Sequence, residues 1–227
     1  MAKWTRFFKP MLDLWFKPNC PLCDRPAKDI VCEYCQRQLQ QCKFTRPEKF
    51  WRREDPSLFV WGSYGGILKR AIAQMKLEED KNCPELARTL GEWLGESWLN
   101  SPVSQVQNLT VVPIASDPQR LKQRGFNQAE LLAKSFCDVT GYSLQPQGLT
   151  RNRQTQALYR LSVQERKQEL SNSMSLGPGF RRRRPGNPVL LVDDIYTTGT
   201  TCREAQRVLK LHQIPVYGIA AIATTQK

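Results

Sequence analysis

The chain has 227 residues, 34 Lys+Arg against 21 Asp+Glu for a formal net charge of +13, and is 40% apolar. That length allows one or two domains with a core of useful size, and the apolar share excludes a disordered polycation. The cationic surplus points to anionic partners (nucleic acid, nucleotides, phosphorylated substrates, an acidic membrane), and no apolar run approaches the roughly 18 residues of a membrane-spanning helix.

Residues 1–16 are rich in aromatics (Trp4, Phe7, Phe8, Trp15, Phe16), interrupted by Lys9, Pro10 and Asp13. This reads as an amphipathic segment packing on its own domain, with a membrane-surface segment as the alternative. No small-residue cleavage site follows, so a secretory signal is not expected and the predicted compartment is the reducing cytoplasm.

Cys20, Cys23, Cys32 and Cys35 follow as C-x2-C-x8-C-x2-C. Two such knuckles can place four thiolates around one tetrahedral point, as Zn²⁺ requires; a disulfide pair and a redox dithiol are the alternatives. Four cysteine ligands leave no position for water, so the expected role of the zinc is structural, and a segment this small needs it to fold. Cys42, Cys83, Cys137 and Cys202 read as spectators or small apolar residues, and the single histidine, His212, as a helix-end or surface residue. The expected division is a zinc-ribbon-like segment with its N-terminal helix over 1–50 and an α/β domain over 51–227, with Lys43–Pro56 as linker.

Beyond the linker, Leu58–Tyr64 reads as a strand, Ile67–Lys76 and Leu86–Leu99 as helices, and Leu109–Ile114 as a buried strand. Asn127–Val139 is helical, with Asn127 as N-cap and Gly141 as stop. Residues 151–187 are Arg-rich, with one helix expected near Val163–Leu170 and a breaker-dense loop from Gly177 to Pro188. Val189–Val192 is an apolar strand, Thr200–His212 a helix and Val216–Ala223 a last strand. This rhythm predicts an α/β fold with a mostly parallel sheet flanked by helices, and ligands at the carboxyl ends of its strands.

The charge is uneven along the chain. Residues 1–55 carry +5, 56–110 −1, 111–187 +8 and 188–227 +1. The basic stretches have aromatic neighbours, Trp51 beside Arg52 and Arg53, and Phe180 beside Arg181, Arg182, Arg183 and Arg184, the pattern of a single-stranded DNA contact.

The sharpest chemical signal is Val189–Ala205, where an apolar strand ends in Asp193 and Asp194, followed by a Thr-Gly turn and a helix. Thr197, Thr198, Thr200 and Thr201 offer hydroxyls, Gly199 allows close backbone approach, and the helix start presents free N–H groups: a phosphate cradle. The adjacent acids suit sugar hydroxyls or the shell of a Mg²⁺ ion. The competing reading, a strand end with a helix cap, leaves two acids without a partner. Neither a P-loop G-x-x-x-x-G-K-[ST] nor a dinucleotide-binding G-x-G-x-x-G occurs.

Val189–Thr201 resembles the phosphoribosyl pyrophosphate signature of type I phosphoribosyltransferases, with Tyr196 where that pattern prefers an aliphatic residue. The wider chain resembles the ComF family of competence-associated, phosphoribosyltransferase-like proteins. The resemblance is carried by the four cysteines, Tyr64–Lys76, Val112-Pro-Ile running into Arg124-Gly-Phe-Asn-Gln-Ala129, Leu149–Arg166, and Asp193–Gly199. It implies a type I phosphoribosyltransferase-like fold in which Asp193 and Asp194 hold the ribose hydroxyls and Thr197–Thr201 the 5-phosphate. It also implies that the Val112–Ser116 strand end, Lys76 and Arg124 face the pyrophosphate, with Mg²⁺ bridging pyrophosphate and ribose oxygens. It further implies a role in DNA uptake during natural transformation, with the competence helicase and the recombination mediator as partners. Phosphoribosyl transfer to an acceptor the sequence does not identify is the enzymatic expectation. A single-stranded DNA-binding adaptor without turnover is the alternative.

Overall fold

The computed structural model describes residues 19–51, 55–77, 82–106, 108–151 and 173–226. The expected N-terminal segment over 1–16, Arg52, Arg53 and the helix expected near Val163–Leu170 lie outside them.

A five-stranded, all-parallel sheet forms the centre, in the order β1 (Leu58–Ser63), β7 (Val216–Thr224), β6 (Val189–Tyr196), β2 (Thr110–Pro113), β3 (Ser143–Leu144). Strand alternation divides its side chains between two apolar layers. Phe59, Trp61, Val111, Leu190, Val192, Ala220 and Ile222 face α2 (Gly66–Gln74), α3 (Pro84–Leu99) and α5 (Gln128–Thr140). Leu58, Val60, Val112, Val189, Leu191, Ile219 and Ala221 face α7 (Thr200–Leu211). An antiparallel ribbon of β4 (Leu149–Arg151) and β5 (Met174–Leu176) also packs on this second layer. The architecture is the expected one, a mostly parallel sheet flanked by helices.

The four cysteines precede α1 (Glu33–Gln40) or lie within it, and this segment joins the sheet directly. Phe44 N–H donates to Trp61 O at 2.8 Å, and Ser63 N–H to Cys42 O at 3.0 Å. Cys20, Leu22, Val31, Cys35 and Leu39 belong to the same apolar layer as Ile67, Leu68, Ala71 and Ile72 of α2 and Met75 just after it. The expected linker is not a free connection: Pro47–Phe50 forms a 3-10 turn, Phe50 is buried, and Trp51 packs edge-on against Trp98.

Two further elements depart from the sequence reading. Gly177–Pro188 is not all loop: it contains α6 (Pro178–Arg182), started by a proline at its first position and held by buried Phe180. A short helix, α4 (Pro118–Arg124), stands between the strand ending at Ile114 and the helix starting at Asn127, where no element is expected. Asp117 caps it, accepting from the N–H groups of Gln119 and Arg120, and Gly125 ends it at φ +79°.

The connections determine where a ligand can sit. From β2 the chain leaves through α4 and α5 to β3, on one side; from the neighbouring β6 it leaves through α7 to β7, on the other. A crevice therefore opens between the carboxyl ends of β2 and β6, the topological switch point of the sheet.

Candidate functional site

That crevice is a cavity of about 670 Å³. Its wall holds Asp193, Asp194, Thr197 and Thr201 from the β6 side and Ile114–Asp117, Arg120, Arg124 and Gln128 from the β2 side. Lys76 comes from the end of α2, and Arg151 from the ribbon. Four cations and three carboxylates thus share one concave surface.

The acid pair is sorted by strand alternation. Asp194 shares the parity of Leu190 and Val192 and turns toward the α2 layer, where its Oδ2 meets Lys76 Nζ at 2.9 Å. Asp193 shares the parity of Val189 and Leu191 and turns toward α7, where Cys202 Sγ donates to its Oδ2 at 3.9 Å. Its Oδ1 accepts the Asp194 N–H at 2.8 Å. Burial, and then the Asp194 charge, raise the Asp193 pKa to about 7, against opposing contributions from that N–H, Lys76 and Arg151. Arg124 is held below the usual guanidinium range by burial and by neighbouring Arg120. Cys202 is therefore more than a small apolar filler: burial and the Asp193 charge push its thiol well up, so it faces the acid as a neutral donor.

The threonine turn has a fixed shape. Gly199 adopts φ +70°, and a Cβ there would collide with the hydroxyl of Tyr196, itself buried directly beneath. Arg203 donates to Thr198 O from the first turn of α7. Thr197 and Thr201 line the cavity, whereas Thr198 Oγ1 and Thr200 Oγ1 bond to each other at 2.9 Å. Of the expected cradle, Thr197 and Thr201 thus share one cavity with both acids, Lys76 and Arg124, whereas Thr198, Gly199 and Thr200 are not part of its lining.

Asn127, Gln128 and Arg151 are cavity residues that residue-type reasoning did not assign. Asn127 caps α5, accepting from Ala129 N–H at 3.2 Å and from Ser116 Oγ at 2.7 Å, and donates to Ile114 O at 3.1 Å. It ties the end of β2 to the start of α5 along one wall of the crevice. The available signal was the Phe126-Asn-Gln-Ala129 stretch at a helix start.

The cysteine cluster lies apart from the cavity. Its four Sγ atoms are all within 4.8 Å of one another, the only such group of potential metal ligands among the described residues. A tetrahedral zinc with Zn–S bonds of about 2.3 Å sets sulfur atoms about 3.8 Å apart, so this donor set fits the ion. The first knuckle is shaped by backbone bonds from Cys23 N–H and Asp24 N–H to Cys20 O, with Asp24 at φ +60°. The Cys35 N–H lowers the Cys32 pKa to about 7, while burial pushes the Cys35 thiol up. Cys42 stands outside the cluster, its thiol donating to Gln38 O. His212 ends α7, its Nδ1 2.9 Å from Val208 O.

Arg181, Arg182, Arg183 and Arg184 are all exposed on and just after α6, away from the cavity lining, with Arg181 Nε donating to Leu176 O at 2.7 Å.

No family model matches the chain. Among curated proteins, it is 31% identical over 212 residues to competence protein F of Haemophilus influenzae, covering 88% of this chain and 89% of that one. This chain belongs to the ComF family. It is also 30% identical to the DNA utilization protein YhgH of Salmonella typhimurium, over 84% of this chain and 77% of that one. With the Bacillus subtilis competence protein ComFC it shares 26% identity over 84% of its own length and 70% of that protein. Among solved structures, glutamine phosphoribosylpyrophosphate amidotransferase from B. subtilis aligns at a TM-score of 0.37 and 22% identity. That match covers 60% of this ComF-family chain and a quarter of the amidotransferase chain.

Proposed function

We propose that this ComF-family protein binds phosphoribosyl pyrophosphate in the switch-point cavity and acts in the cytoplasm in DNA uptake and use. The observation that carries the ligand is the meeting of an acid pair, a threonine-lined helix start and four cations within one cavity. The chemistry divides accordingly. The α7 start and its hydroxyls suit a 5-phosphate, Asp193 and Asp194 suit ribose hydroxyls, and Lys76, Arg120 and Arg124 suit a diphosphate. Lys76 pairs with Asp194, so a diphosphate competes with that carboxylate for it. The acids alone do not form a Mg²⁺ cage, which fits an ion that keeps its waters and arrives on the diphosphate oxygens.

As a phosphoribosyltransferase, the protein would act by positioning the sugar and stabilising the departing diphosphate, without a side-chain nucleophile. Thermal unfolding with and without phosphoribosyl pyrophosphate and Mg²⁺ tests the site. The ligand should raise the melting temperature, and Asp193→Asn/Asp194→Asn should remove the rise. An equal rise in the double variant would sink the assignment.

The names of the relatives, competence and DNA utilization proteins, support the DNA role. The exposed Arg181–Arg184 run favours a nucleic-acid contact in addition, which would serve an adaptor to the competence helicase and the recombination mediator whether or not the cavity turns over. Replacing Arg182, Arg183 and Arg184 with Ser should weaken single-stranded DNA binding and flatten its dependence on salt. An unchanged slope would make the run a solvated surface.

A further inference from the structure

The outer face of α7 has no task in the sugar-phosphate reading. Its exposed side chains are Arg203, Arg207, Lys210 and Leu211, and its one acid, Glu204, is buried. Arg203, Gln206, Arg207, Lys210 and Leu211 line a hollow of about 380 Å³ that shares no residue with the switch-point cavity. Glu204 holds Arg207 through two hydrogen bonds, from Nε at 2.7 Å and from Nη2 at 2.8 Å. Asp55 accepts from Gln206 Nε2 at 2.9 Å and lies 3.9 Å from Lys210 Nζ. Two carboxylates thus answer two of the three cations, and Arg203 has no carboxylate partner among the described residues.

One unanswered positive charge suits a monoanionic oxyanion, such as a phosphodiester, better than a terminal phosphate dianion. α6 lies on the same side of the sheet, since Phe180 belongs to the apolar layer that holds Val208 and Leu209 of α7. The exposed Arg182, Arg183 and Arg184 therefore share that side with the hollow, and successive phosphodiesters of one strand find cations on both elements.

Arg203 also reaches the other way, its Nη2 donating to Thr198 O in the threonine turn. Its side chain is exposed and free to turn. A charge-assisted bond to phosphate is about twice as strong as a bond to a neutral carbonyl, so the guanidinium follows an arriving anion. Thr198 O then loses its donor, and the start of α7 loses the positive charge beside it. Both losses act against a 5-phosphate held there.

We propose that the hollow on α7 is a second anion site, for a phosphodiester of a single polynucleotide strand, and that a strand bound there weakens sugar-phosphate binding in the cavity. The coupling rests on the reading of the cavity given above; the strand site does not.

Fluorescence anisotropy of labelled oligothymidylate on the full chain, with calorimetric titration of phosphoribosyl pyrophosphate and Mg²⁺ at rising oligothymidylate, tests both parts. Arg203→Gln and Lys210→Gln, both at exposed positions, should each weaken strand binding by about threefold or more and lower its salt slope by about one. In the parent, the strand should weaken sugar-phosphate binding about fivefold, and the sugar phosphate should weaken strand binding by the same factor. That loss should level off as the strand saturates. In Arg203→Gln it should shrink to within about twofold, whereas Lys210→Gln should keep the parent's factor once saturated.

A loss that grows without limit means that the strand enters the cavity itself, and it overturns the proposal. So does strand binding that neither variant weakens, or a sugar-phosphate affinity that the strand leaves unchanged or improves. Poly-L-glutamate binding as tightly as oligothymidylate would make the hollow a surface for acidic protein and overturn it too. If phosphoribosyl pyrophosphate does not bind at all, the reading of the cavity falls and the coupling with it, and the two variants alone decide the strand site.

Discussion

Asp193 sits where ligand chemistry and folding stability pull apart. Its pKa rises from an ordinary 3.8 to about 7 in the native protein, so over that interval the native state holds a proton that the unfolded state has released. Stability therefore falls as pH rises from about 4 to about 7, the reverse of a salt-bridged carboxylate. Asn at this position keeps an oxygen for the Asp194 N–H and has no charge to bury. Asp193→Asn should be more stable than the parent at pH 8, by at most about 4 kcal/mol, and the two should converge toward pH 4. Thermal melts across that range check it, and a variant less stable at pH 8 would show that the carboxylate is held by its partners instead. At this scale the sequence exposed the acid pair, because two adjacent carboxylates after an apolar strand are conspicuous. It could not expose the partners: Lys76 and Cys202 reach the acids only through packing of α2 and α7 on opposite faces.

Elements were legible where they are long and periodic. β1, α2, α3, β2, α5, β6, α7 and β7 all fall within a few residues of their predicted spans, and the cap and stop of α5 stand at Asn127 and Gly141. What escaped is short. β3, β4 and β5 have two or three residues each, too few for alternation to register. α4 and α6 were masked by charge, although Asp117-Pro118 before one and a proline at the first position of the other are helix-start signals. The ribbon then supplies Arg151, which explains why that residue was missed: its place over the cavity depends on pairing of Arg151 with Met174, distant in sequence. The threonine turn shows the opposite case. Tyr196 looked like a departure from an aliphatic pattern, and the structure gives it a reason, since its hydroxyl fills the space that only a glycine at 199 leaves open.

For the whole molecule, the decisive feature is that the cysteine segment and the α/β sheet share an apolar layer. Cys20, Cys35 and Leu39 pack into the layer that holds Ile72 and Met75, and Met75 directly precedes Lys76 at the mouth of the cavity. A zinc segment hung on a linker would lose its fold with the metal and leave the sheet untouched. Here, an ion held by the four cysteines would support α2, and Lys76, two residues beyond the end of α2, is the cation that meets Asp194. Cys20→Ser, or stripping the ion with a strong chelator, should therefore lower the melting temperature of the whole chain by several degrees, about what a loss of 2–3 kcal/mol produces in a domain of this size. The same treatment should weaken phosphoribosyl pyrophosphate binding, although no cysteine of the cluster lines the cavity. Melting monitored alongside metal content and ligand titration checks both. Two separate transitions, with the upper one and the ligand affinity unchanged, would mean that the metal staples only its own segment.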